Sequence, residues 1–144
     1  MNRFAIAVTA ILGITTVVLA QSGDPIAERK ALMKSNAAAA GNAGKMIKGE
    51  IPYDKSVADA ALKQLSETAA KGPALFPAGS DKGDTRALPK IWENKADFDA
   101  KFAKLGQDVA AAQSKTGSLD EFRAAFGPIG QNCAGCHQDY RRPQ

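Results

Sequence analysis

At 144 residues the chain is long enough for one domain built around one core. Its 19 basic and 15 acidic residues leave a formal net charge of +4. That balance is too mild to imply nucleic acid, and basic and aromatic residues do not interleave as they do in single-strand binders. Two cysteines and one histidine also bound the metal chemistry, because a structural zinc site needs about four Cys or His ligands.

The first twenty residues read as an export signal rather than as part of the fold. Met1-Asn2-Arg3 is a short basic stretch, and Phe4 to Val18 is apolar but diluted by threonines. Val18-Leu19-Ala20 then places small residues where a signal peptidase cuts, so cleavage is expected before Gln21. The expected organisation is a signal peptide at 1–20 and a single domain at 21–144. A retained membrane anchor is the alternative, but the run is short beside the roughly 20 apolar residues of a span. No stable membrane insertion is therefore expected after cleavage, and the compartment is most simply a bacterial periplasm. Along the mature chain acids alternate with bases, as on the solvated face of a helical bundle.

Four segments carry helical periodicity and none alternates as a strand does. The first is expected from about Asp24 to Lys48, with Asp24 as cap and Pro25 at the first helical position. Ile26, Lys30, Met33, Ala37, Ala40, Gly44 and Ile47 mark its seam, with Lys30 as the one misfit and Met46 off the seam. Gly49 stops it. The second helix, about Lys55 to Lys71, is capped by Asp54 and turns Ala58, Leu62, Leu65 and Ala69 inward. Gly72-Pro73 ends it, with Gly72 read as a left-handed cap residue. Residues 72–89 hold much Pro and Gly and no periodicity, and so read as a long surface crossover.

The third helix is expected from Pro89 to about Lys115, with Ile91, Lys95, Phe98, Phe102, Leu105, Val109 and Ala112 on its seam. Trp92 sits beside that seam, either as ordinary core or in contact with a prosthetic group. Ser118-Leu119-Asp120-Glu121 is a capping box that starts the last helix. Leu119, Phe122, Phe126, Ile129, Cys133, Cys136 and Tyr140 follow at intervals of three and four. Gly127-Pro128 is expected to kink it. Two short connections and one long one make this an all-α, antiparallel four-helix bundle, in which cofactor sites are built from facing helices.

The chemistry is concentrated on the last helix. Cys133, Cys136 and His137 form C-x-x-C-H, the attachment signature of a c-type haem. Residues three and four apart share one helix face, so two thiols one turn apart can reach the two vinyl groups of one porphyrin edge. His137 projects from the same face as the proximal iron ligand. A thioredoxin-like reading wants a βαβ setting, and no strand pattern surrounds the motif. A simple disulfide remains open but leaves the adjacent histidine unexplained. The expected cofactor is one covalently attached haem c.

A helical bundle with C-x-x-C-H near its C-terminus resembles the cytochrome c′ family, the class II c-type cytochromes. Lys48-Gly49-Glu50-Ile51-Pro52-Tyr53-Asp54, Pro89-Lys90-Ile91-Trp92, Phe126-Gly127-Pro128-Ile129-Gly130 and the closing C-x-x-C-H-x-x-Y-R are similar to that family's pieces. The resemblance implies that Arg141 lies close to the proximal histidine. Counting back from Pro52-Tyr53-Asp54, it also implies that Met33 occupies the distal position. A low-spin branch of the family binds iron there through methionine, and Leu32-Met33-Lys34-Ser35-Asn36 resembles that branch. From the residues alone, Met33 is either that ligand or a gap-filling core residue over an open face.

With Met33 bound, the chain is expected to carry single electrons between redox proteins of the periplasm through a His/Met-ligated haem. The alternative is a five-coordinate iron that binds NO or CO. No enzyme activity is expected, because no second histidine or nucleophile motif is present. The resemblance leaves monomer and homodimer both open.

Overall fold

The computed structural model describes residues 23–143; the expected signal peptide and its cleavage point before Gln21 lie outside the described residues. The helices are α1 (Pro25–Lys48), α2 (Lys55–Lys71), the single-turn α3 (Lys90–Glu93), α4 (Lys95–Ala112) and α5 (Leu119–Tyr140). A 3-10 turn at Gly72–Leu75 follows α2. The four long helices pack in sequence order, α1 on α2, α2 on α4 and α4 on α5, as an antiparallel four-helix bundle. The bundle closes only sparingly between α5 and α1.

Local chemistry sets the helix ends. The Asp24 carboxylate accepts the Ile26 N–H at 2.9 Å, and Pro25 takes the first helical position, where no N–H partner is needed. Gly49 closes α1 at φ 75°, with its N–H turned back to Lys45 and Met46 carbonyls. Asp54 caps α2 by accepting from the N–H groups of Ser56 and Val57. Ser118 caps α5 by accepting from Glu121 N–H.

Two helix features differ from the sequence expectation. Gly72 is not a left-handed cap: its φ is −54°. It is small for another reason, since a Cβ there would meet Phe102 Cε1 at 2.2 Å. The expected third helix is broken at Asn94, whose backbone (φ −129°, ψ 56°) leaves the helical region and separates α3 from α4. Pro128 removes one donor from the ladder of α5, and the helix continues past it to Tyr140.

The seam of α1 is also rotated from the expected one. Lys30 is exposed, whereas Arg29, Ala43 and Met46 are buried and Asn36 is half-buried. The reason is polar. Arg29 and Asn36 both find hydrogen-bond partners inside the bundle, and their inward turn carries Met46 into the core with them.

Two apolar clusters fill the bundle. At the end holding the two short connections, Met46, Leu62, Val109, Phe122 and Ile129 pack with at most 1% exposure. Fully burying a side chain such as Phe122 contributes about 1.5–3 kcal/mol. The opposite end is aromatic: Phe76, Ile91, Phe98, Phe102 and Tyr140 cluster there, with Met33 and Cys136 against them. The long crossover is tied to this end. Leu88 N–H donates to Tyr140 O at 3.0 Å, Arg142 N–H donates to Arg86 O at 2.9 Å, and Ala87 bridges Arg141 antiparallel.

Candidate haem-binding site

The C-x-x-C-H stretch lies on the part of α5 that faces the sparse α1–α5 seam. Cys133 and Cys136 are unpaired and half-buried, one helical turn apart. Burial pushes both thiols up, Cys136 to about 11, so both are protonated at neutral pH. His137 is half-buried beside them. Burial lowers its pKa, and the Arg141 and Arg86 guanidiniums lower it further. The imidazole is thus held neutral, the form with a lone pair free for a metal.

Two adjoining cavities open at this point, of ≈ 420 Å³ and ≈ 200 Å³. Their walls share Met33, Phe102, Cys136, His137 and Arg141, so they are two lobes of one slot between α1, α4 and α5. The larger lobe is walled by the aromatic cluster and by residues 84–87 of the crossover. The smaller adds Cys133 with Ala37, Ala40, Leu65 and Leu105. A slot of this size, mostly apolar with a few convergent polar groups, is the form a cofactor site takes.

The donor set fits a c-type haem. Two thiols, one neutral imidazole and one thioether face a single apolar space. Among the described residues, no group of three or more His, Cys, Asp or Glu side chains converges as a metal site of its own.

The end of α5 is firmly placed. Tyr140 is 3% exposed, its hydroxyl donates to Asp97, and its ring stands edge-on to Phe98 at 5.2 Å. The hydrogen bond to Asp97, followed by burial, raises the Tyr140 pKa to about 12. Lys101 pairs with Asp139 at 3.0 Å, and Asn132 donates to the Lys101 carbonyl at 3.3 Å, so α4 braces both sides of the motif.

Among the residues singled out from sequence, Met33, Cys133, Cys136, His137 and Arg141 all line the slot. Arg141 is exposed at its rim, near His137. Trp92 stands one layer back: it is not in the wall of either lobe. Its indole N–H donates to Pro77 O at 2.9 Å and its ring packs on Phe76 at 6.2 Å. Phe76, from the crossover, takes the place in the wall.

Arg29 was not legible as a site residue. It is 4% exposed, with Nη1 on Ser80 Oγ at 3.1 Å and Nη2 on Ser80 O and Thr85 Oγ1 at 2.7 Å each. Its guanidinium lies 4.8 Å from the Phe76 ring centroid and forms part of the larger lobe. Burial lowers its pKa.

Comparison with known proteins decides the family. The family model described as Cytochrome C′ matches residues 24–141, which is nearly all of the described chain. The chain belongs to the cytochrome c′ family. It is 44% identical over 119 residues to a cytochrome c′ of Rhodopseudomonas palustris, covering 82% of each chain. It is 39% identical to a cytochrome c-556 of the same organism, across 98% of this chain and 97% of that one. The solved structure of cytochrome c′ from Rhodopseudomonas palustris superposes with a TM-score of 0.82 at 42% identity, covering 85% of this chain and 99% of that one. Members of the cytochrome c′ family carry covalently attached haem c and act as electron carriers, in keeping with the C-x-x-C-H stretch and the slot it faces.

Proposed function

We propose that this chain is an exported, single-haem electron carrier whose iron is held by His137 on one side and Met33 on the other. The observation that carries this reading is that the Met33 thioether and the His137 imidazole line the same slot, from α1 and α5 respectively. Bound haem supplies a one-electron iron centre, and His/Met ligation favours its reduced state.

The chain's own residues supply the rest. Cys133 and Cys136 anchor the group through two thioethers. His137, kept neutral by burial and by Arg141 and Arg86, offers its lone pair. Phe76, Phe98 and Phe102 keep water from the slot, and a dry, rigid wall limits reorganisation when charge changes. Arg29 would place a buried positive charge in the wall of the larger lobe, offsetting negative charge on a bound haem. The exposed rim, with Lys34 and Arg141, faces other redox proteins of the periplasm. Among the described residues, no helix is long and apolar enough to cross a membrane.

A second reading, five-coordinate iron that binds NO or CO, is favoured by one observation: the relative at 44% identity is named cytochrome c′. Electron paramagnetic resonance of the oxidised protein separates the two. A low-spin signal supports His/Met ligation, and a high-spin signal supports the gas-binding reading.

A further inference from the structure

One polar side chain in the wall of the slot has no role in the reading above. Asn36 follows Met33 by one turn on α1 and shares its face. Its amide Nδ2 donates to Met33 Sδ at 3.7 Å, a hydrogen bond of the length sulfur makes. The other end of the amide is held from α2. Thr68 Oγ1 lies 2.7 Å from Asn36 Oδ1 and 3.0 Å from the Gln64 carbonyl, so its one proton serves the shorter contact first, and Gln64 Nε2 donates to Asn36 Oδ1 at 3.2 Å. Thr68 is 1% exposed, so this network lies in the packed part of the bundle.

The arrangement orients the amide. Two donors within reach of Oδ1 favour the setting of the amide in which Nδ2 is turned to the sulfur. Flipped over, the amide would set a carbonyl oxygen against the thioether lone pairs and its own N–H groups against the Gln64 donor. Methionine is otherwise poorly specified, since its chain has three rotatable bonds and no strong polar preference. A thioether sulfur carries two lone pairs, and the Asn36 N–H occupies one of them.

We propose that Asn36 is a positioning residue for the Met33 ligand, oriented in turn by Thr68 and Gln64. The inference rests on ligation of iron by Met33. Asn36 fixes which lone pair is left for the metal and holds the sulfur against release. By drawing electron density from the sulfur it also weakens donation to the oxidised iron more than to the reduced iron, which favours the reduced state. Whether the distal position is closed or open is then set by a relay reaching from α2, and not by Met33 alone.

The test uses the full-length holoprotein and Asn36→Leu, which keeps the size and removes the donor. Losing one hydrogen bond is worth about 0.5–1.5 kcal/mol, so CO association with the reduced protein is expected to quicken about two- to tenfold. The reduction potential is expected to fall and the thioether-to-iron charge-transfer band to shift. Thr68→Val, which removes one of the two donors to Oδ1 and leaves the Asn36 N–H in place, is expected to move all three in the same direction by less, and it serves if Asn36→Leu fails to fold. In a Met33→Leu background the Asn36 substitution is expected to change nothing further. A low-spin wild type whose potential, band and CO rate are unmoved by both substitutions overturns the proposal and leaves Met33 ligation standing. An equal effect of Asn36→Leu with and without Met33 overturns it also. A high-spin wild type overturns the ligation reading, and the relay with it.

Discussion

Met33, early in α1, and His137, near the end of α5, line one slot, although α1 and α5 touch each other far less than the other neighbouring long helices do. The gap is where a flat group fits. α2 and α4 hold the two walls apart by packing fully on their own neighbours.

The two methionines of α1 are expected to respond in opposite ways. Met33→Ala should leave a high-spin centre with a lower reduction potential that binds CO and NO faster. Met46 is fully buried at the other end of the bundle, where its sulfur accepts the Asp54 N–H at 3.3 Å. Met46→Ala should cost about 2–5 kcal/mol of stability and leave the visible spectrum unchanged. Thermal unfolding and absorption spectra of the two variants check this together.

Covalent attachment is checked separately. With both thiols alkylated by the porphyrin, colour should survive acid-acetone extraction and denaturing electrophoresis. Intact mass should show one haem on a chain that begins at Gln21. A chain carrying a Cys133–Cys136 disulfide and no haem, after expression with haem-maturation machinery, would contradict it.

Much of this was legible in the sequence because it rests on short-range chemistry. Asp24, Asp54 and Ser118 announce helix starts through their own caps, and Leu62, Leu65, Phe102, Val109, Phe122 and Ile129 keep a period that survives into the core. The errors arose where tertiary partners override pattern. A reading that sends apolar residues inward cannot foresee Arg29 buried against Ser80 and Thr85, or Asn36 against Thr68. These turn α1 so that Lys30 faces solvent and Met46 does not. Gly72 does end α2, but without the left-handed backbone expected of it; its smallness serves Phe102, a residue far away in sequence. Trp92, which its place beside the seam left open between core and wall, packs as core. Phe76, in a loop without periodicity, lines the slot in front of it.

Tyr140 gives the stability curve an alkaline limb. Its folded pKa, about 12, lies above the ordinary 10.0, so the neutral phenol is the form the native state favours. That contribution is fully present below pH 10 and is lost as pH rises toward 12. Tyr140→Phe should lower stability by about 1 kcal/mol at neutral pH and flatten this limb. Denaturant titrations across that pH range check it.

Electron transfer with an acidic partner should slow as salt rises, because the Debye length falls from about 10 Å at 0.1 M to about 3 Å at 1 M. The rim charges available for docking are Lys34 and Arg141. Lys30 is paired with Asp84 at 2.5 Å, and the Arg142 guanidinium donates to Thr85 O. Arg141→Gln should therefore reduce the salt dependence, and Arg142→Gln should instead loosen the crossover and lower stability. Stopped-flow rates at several ionic strengths distinguish the two.

The central claim, that Met33 and His137 hold one iron between them, is tested most directly by absorption spectra of the purified wild-type protein in both oxidation states. Low-spin, six-coordinate spectra in both, with a thioether-to-iron charge-transfer band when oxidised, are the predicted result. A high-spin spectrum in either state would contradict ligation by Met33.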